Sequence, residues 1–139
     1  MDFRQIALVQ ESWLKLAGRL DTLGILFYWR LFELDNSLRP LFKQDLQRQQ
    51  QKFTSAIQHI INHLEQPQQF FHSTKLLGRH HAQLGVRPES YYTVGEALFW
   101  TLGQMLGEQF TPHCRQAWET AYYQIAGLMK EAADCQNAR

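Results

Sequence analysis

The stretch that decides the fold reads LGRHHAQLG, residues 77–85. Five residues in and just before it recur at steps of four, three, four and three, which keeps them on one helical stripe: Phe70, Thr74, Leu77, His81 and Leu84. The spacing therefore predicts that His81 lies on the apolar face of a helix, toward the core. An imidazole is costly to bury unless its nitrogens have partners, and iron in a haem is one partner that a helical protein can enclose.

Size and charge limit the class of protein. The chain has 139 residues and a formal net charge of +1, from 14 Lys and Arg against 13 Asp and Glu. That length suits one domain, residues 1–139, with a real hydrophobic core, and it is short for two domains. The balanced charge gives no field that would favour nucleic acid or an acidic membrane surface as a partner.

The remaining composition points to a cytoplasmic protein. Residues 1–5, MDFRQ, are polar where an export signal needs a basic end and then an apolar run. Every apolar stretch is interrupted before it reaches the roughly 20 residues of a membrane-spanning helix. Cys114 and Cys135 lack metal-binding spacing, so reduced thiols are the simplest interpretation. We expect a soluble, cytoplasmic protein with no membrane partner.

The prolines and the apolar period predict an all-α protein. Each of the four prolines falls where the period breaks: Pro40, Pro67, Pro88 and Pro112. The expected elements are a helix over 3–20, a second helix capped by Asp21 or Thr22, a short turn over 36–42, a helix over 45–64, the His81 helix ended by Gly85, a helix from Pro88 to 106, and a last helix from Pro112 that frays in the polar run 132–139.

A longer run around the same histidine points to a family. The run HAQLGVRPESYYTVGE, residues 81–96, resembles the sequence around the haem-ligating histidine of bacterial globins, specifically the single-domain relatives of the haem domain of flavohaemoglobins. Weaker matches in the same order reach both ends of the chain, over 27–32, 41–42, 49–57 and 117–122. The resemblance implies a globin fold, a three-over-three helical sandwich around haem b, with His81 as the iron ligand. His80 lies about 100° round the helix on the polar side, so both histidines cannot face one iron.

The resemblance also implies two polar residues on the distal side of the haem. Tyr28 matches a tyrosine whose hydroxyl can donate a hydrogen bond to bound dioxygen, although a packed core aromatic is the alternative from the residue alone. Gln49 matches a distal glutamine that can hydrogen-bond to the ligand or to Tyr28. Phe53 lies one turn on, where the family more often has leucine, so we expect a smaller ligand cavity.

The other haem contacts are implied in the same way. Phe42 matches the aromatic that packs on the haem, a position that ordinary core packing also explains. Tyr91 matches a tyrosine that polarises the proximal imidazole together with a glutamate, but Ala133 stands where that glutamate is expected, so a strong electron push is not expected. Arg79 or His80 would meet a haem propionate in place of the family's lysine.

Three functions are consistent with this sequence. The first is a haem protein that binds dioxygen, carbon monoxide and nitric oxide and oxidises nitric oxide to nitrate. Its electrons would come from a separate reductase, because these 139 residues hold no flavin or nicotinamide domain. The second is a non-enzymatic oxygen binder or store. The third is a gas sensor or an interaction module of globin shape. No nucleophile motif is present in the sequence, and zinc chemistry is not expected at His80 and His81, because these two histidines are adjacent and not one helical turn apart.

Overall fold

The computed structural model describes residues 1–41, 45–66, 68–69, 72, 75, 87 and 89–137. Five α-helices lie within these ranges: α1 (Phe3–Leu14), α2 (Leu20–Leu34), α3 (Leu46–Asn62), α4 (Ser90–Leu106) and α5 (Pro112–Asn137). Two short 3-10 helices, Asn36–Leu41 and Gly107–Gln109, follow α2 and α4. The described residues contain no strand, so the prediction of an all-α protein is confirmed for them.

The predicted boundary between the first two helices is wrong. α1 ends at Leu14, six residues before the expected end at 20, and α2 already begins at Leu20, without a side-chain cap from Asp21 or Thr22. Gly18 has φ +84°, a left-handed conformation that ends the helical path. Leu16 is buried within the intervening turn, which is why the apolar period continues across a real break.

The last helix runs further than expected. α5 continues to Asn137, whereas the polar run predicted fraying from about residue 132. Ala126, Met129 and Ala132 are buried at steps of three, so one face of α5 still packs against the protein there. The prediction that α5 begins at Pro112 is confirmed.

The core is built where α2 packs on α4 and on α3, and where α1 packs on α5. Phe27 of α2 and Phe99 of α4 are almost completely buried in it. Gly24 allows α2 and α3 to approach closely, because a Cβ there would lie 3.0 Å from the Cβ of Gln50. This close crossing sets the position of the first turns of α3 beside α2.

Two predicted features lie outside the described residues. They are the helix that carries His81 and the aromatic residue Phe42. Within the described part of the chain, no helix is long and apolar enough to cross a membrane.

Candidate functional site

Tyr28 lies in the middle of an aromatic group formed by α2 and α3. Its side chain is 3% exposed. Ring centroids of three phenylalanines lie 5.0 to 5.8 Å from its own: Phe27, Phe32 and Phe53. The arrangement is edge-on or tilted, which is the geometry that aromatic rings prefer. The phenol is therefore shielded from bulk water by apolar side chains.

Gln49 supplies a polar partner for this buried tyrosine. It lies in the first turn of α3, whose start is fixed by Asp45, since the Asp45 carboxylate accepts a hydrogen bond from the backbone N–H of Gln47 at 3.0 Å. Burial raises the pKa of Tyr28 to about 12, and a side-chain hydrogen bond with Gln49 acts in the opposite direction. The Tyr28 hydroxyl thus keeps its proton at neutral pH and is available as a donor.

Phe53 closes this group one turn further along α3. Its ring stacks on Phe27 with centroids 3.9 Å apart and planes 12° from parallel, and it meets Tyr28 nearly edge-on at 73°. Three residues that the resemblance places on one side of a haem are thus brought together. We call Tyr28, Gln49 and Phe53 the distal cluster.

A second polar group lies between α4 and α5. Tyr91 is 8% exposed and packs against Ala126 and Met129. The Tyr122 hydroxyl donates a hydrogen bond to the backbone carbonyl of Tyr91. Burial raises the pKa of both tyrosines above the usual value, so both phenols are neutral at physiological pH. The Tyr122 hydroxyl therefore serves a backbone group of α4.

Gly95 makes room for that contact. A Cβ at position 95 would lie 2.6 Å from Cε1 of Tyr122, a distance that real atoms do not adopt. The glycine lies near the end of the run 81–96, which resembles the bacterial globins. The contact of Gly95 with Tyr122 on α5 was not predicted, because the sequence of neither helix indicates which aromatic ring packs against the glycine.

A cation lies beside Tyr91. The Lys130 Nζ is 5.7 Å from the centroid of the Tyr91 ring, within the range of a cation–π contact. Glu131, the next residue, is exposed. Lys130 was not predicted, because the resemblance directed attention to the glutamate expected at position 133, and the sequence alone does not show that Lys130 lies beside Tyr91. We call Tyr91, Tyr122 and Lys130 the proximal cluster.

Four of the predicted site residues fall outside the described residues. They are the expected iron ligand and its neighbours, together with the aromatic expected to pack on the haem: His81, His80, Arg79 and Phe42. Their roles remain predictions from the sequence.

The chain is similar in sequence to known globins and to proteins that contain a globin domain. The globin family matches residues 25–129 of the chain. The chain is 29% identical to a flavohemoprotein of Rhodopirellula baltica and 34% identical to one of Bordetella pertussis, over 90% and 74% of its own length. It is 30% identical to neuroglobin of Danio rerio, covering 88% of this chain and 86% of that protein. The chain spans about a third or less of the two flavohemoproteins, 31% and 26% of their lengths.

Proposed function

The chain belongs to the globin family, and from that premise we propose that it binds haem b through His81 and holds dioxygen with Tyr28 and Gln49. The family match over residues 25–129 includes all three positions. Gas ligands such as dioxygen are implied by the family. The single observation that carries the assignment is the buried Tyr28 hydroxyl hydrogen-bonded with Gln49 inside an aromatic shell.

The chemistry of the distal cluster fits a haem. A buried polar group in an apolar core has a cost unless it hydrogen-bonds to something, and the half-buried Gln49 is such a partner for the buried Tyr28 hydroxyl. A phenol hydroxyl and an amide can both donate to a small ligand, while the surrounding phenylalanines suit the flat apolar face of a porphyrin. Of the residues proposed to hold the group, His81 is the ligand, Phe42 packs on the ring, and Arg79 or His80 meets a propionate.

Haem iron, when bound, supplies the atom that dioxygen binds and the electron density that dioxygen draws on. The chain's residues do the rest. Tyr28 stays protonated, since its pKa is about 12, and presents its hydroxyl hydrogen to developing negative charge. Gln49 orients that hydroxyl and adds its own amide donor. The aromatic rings of the distal cluster exclude water, which strengthens both hydrogen bonds.

We further propose that the loaded protein converts nitric oxide to nitrate. The balance is nitric oxide plus dioxygen plus one electron giving nitrate. In this proposal the electron comes from a separate reductase in the cytoplasm that uses a flavin or nicotinamide cofactor. The similarity to the flavohemoproteins supports this proposal, but it covers only a third or less of those proteins.

Rapid mixing of the dioxygen-loaded protein with nitric oxide tests this activity. We expect rapid formation of ferric haem together with one equivalent of nitrate per haem. In Tyr28→Phe, the conversion of nitric oxide to nitrate should be slower. Haem oxidation without nitrate would contradict the dioxygenase proposal and leave dioxygen binding standing. A colourless protein that takes up no haemin would contradict both and favour an interaction module without haem.

The proximal cluster favours one alternative, a non-enzymatic oxygen binder or store. The resemblance places Ala133 where a carboxylate would make the proximal imidazole more electron-rich, and the charged group that contacts Tyr91 is the cation of Lys130. This alternative predicts reversible oxygenation through many cycles, with no nitrate formed when nitric oxide and a cellular reductase fraction are added together.

A further inference from the structure

Three histidines line one open cavity at the end of α3, away from the distal cluster. The cavity has a volume of about 360 Å³, and the described residues that line it are all polar: His59, His63, Gln68, Gln69 and His72. Helix α3 rises about 1.5 Å per residue, so His59 lies about 15 Å along the helix from Gln49. The proposed gas chemistry uses none of these side chains.

His59 and His63 are spaced for chelation. His59 lies in the last turn of α3 and His63 is its C-cap, one turn further along the chain, so the two side chains lie close to each other at this helix end. The centroids of the two imidazole rings are 4.4 Å apart and the ring planes are tilted by 48°. Two ligands of a tetrahedral zinc ion at 2.0–2.1 Å lie about 3.3 Å from each other, a separation that rings this close can reach by small rotations.

The hydrogen bond of His63 leaves the correct nitrogen for a metal. His63 Nδ1 lies 2.7 Å from the backbone carbonyl oxygen of His59. A carbonyl only accepts, so Nδ1 carries the proton, and the neutral ring presents the lone pair of Nε2. Metal-binding histidines are commonly oriented in this way, with the other ring nitrogen donating to a backbone carbonyl.

We propose that His59 and His63 chelate a divalent transition-metal ion, with zinc as the representative case. Imidazole nitrogen is a preferred ligand for zinc, copper and nickel ions. The described part of the chain presents no preformed group of three or more His, Cys, Asp or Glu ligands, so water fills the remaining positions. Gln68, Gln69 and His72 line the same cavity, where their polar atoms can hydrogen-bond those waters.

Zinc is the suitable probe because it has no redox chemistry and leaves the oxidation state of a haem unchanged. Calorimetric titration of zinc chloride into the haem-loaded full chain should show one saturable site. We expect His59→Ala and His63→Ala each to weaken binding at least about tenfold, since loss of a ligand costs more than loss of a residue that only orients one. His113→Ala, which removes an exposed histidine of α5 outside the cavity, should change affinity less than about twofold.

His72→Ala tests whether the metal ligands are His59 and His63 and not His72. We expect it to weaken zinc binding by less than about threefold, the effect of a group that contacts only the bound water. A loss as large as that of His63→Ala would overturn the two-histidine chelate. No saturable binding at millimolar zinc, or equal binding by wild type and His63→Ala, would overturn the site itself. Haem absorbance of each variant reports whether it is folded, and failure of the site leaves the proposed gas chemistry untouched.

Discussion

The distal and proximal clusters both contain a buried tyrosine, but they use its hydroxyl differently. Tyr28 shares its hydroxyl with the side chain of Gln49, and a side-chain partner can rotate to admit a ligand. Tyr122 donates to the backbone carbonyl of Tyr91, a partner fixed within α4. The distal cluster therefore has the adjustable partner that the proposed ligand chemistry requires, whereas the proximal cluster holds α4 against α5.

Removal of the proposed iron ligand should have the largest effect. We expect His81→Ala to lose stable haem binding, with partial recovery of the absorption spectrum when free imidazole is added to the haem-loaded variant. His80→Ala should retain haem, since His80 lies about 100° round the predicted helix from His81, on its polar side. Absorption spectra of the ferric, ferrous and carbon monoxide forms measure both. Haem loss in His80→Ala with retention in His81→Ala would reverse the assignment.

A methyl group at position 95 should disrupt the proximal cluster alone. The added Cβ of Gly95→Ala would collide with the Tyr122 ring at 2.6 Å, so we expect a loss of about 1–3 kcal/mol in the free energy of unfolding. Chemical denaturation measures the loss.

The matched control for that change is on the same helix. Gly103→Ala would place its Cβ 3.6 Å from Phe110, an ordinary contact, and we expect it to be neutral or to stabilise by up to about 1 kcal/mol. If both variants lost the same stability, the close approach of Tyr122 to Gly95 would not be the cause.

Loss of the distal amide should affect the ligand more than the fold. We expect Gln49→Leu to raise the dioxygen dissociation rate constant about two- to tenfold, the effect of one ordinary hydrogen bond of about 0.5–1.5 kcal/mol. Displacement of dioxygen by carbon monoxide in a stopped-flow instrument measures the rate. An unchanged rate constant would show that Tyr28 acts without Gln49.

The smallest effect is expected at Lys130. Lys130→Met keeps a long unbranched side chain and removes the cation over Tyr91, so we expect unfolding free energy to fall by about 0.5–1 kcal/mol. Dioxygen dissociation should stay within twofold of wild type. A larger change in that rate would show that the proximal cluster also controls the ligand.

Sequence patterns predicted the helices whose ends carry strong local signals. The start of α3 follows from the Asp45 cap, and the start of α5 follows from Pro112. The break between α1 and α2 was missed because buried leucines continue on both sides of Gly18. The end of α5 was missed because Ala132 is buried by tertiary packing, and the polar residues around it in the sequence give no sign of that packing.

The residues of the distal cluster were predicted, whereas the contact between Tyr122 and Tyr91 was not. Tyr28 and Gln49 came from the family resemblance, and spacing alone would have left Tyr28 as a core aromatic. The bond from Tyr122 to Tyr91 joins residues 31 positions apart on two helices. Such a contact depends on how α4 and α5 cross, which neither helix encodes in its own periodicity.

The most direct test of the central claim is the dioxygen dissociation rate constant of haem-loaded Tyr28→Phe beside wild type. Phenylalanine keeps the ring that packs against Phe27 and Phe53 and removes only the hydroxyl. A hydrogen bond to a charged acceptor contributes about 1.5–3 kcal/mol, so the account predicts an increase of roughly 10- to 100-fold. A rate constant within twofold of wild type would contradict the assignment of Tyr28 as the residue that holds dioxygen.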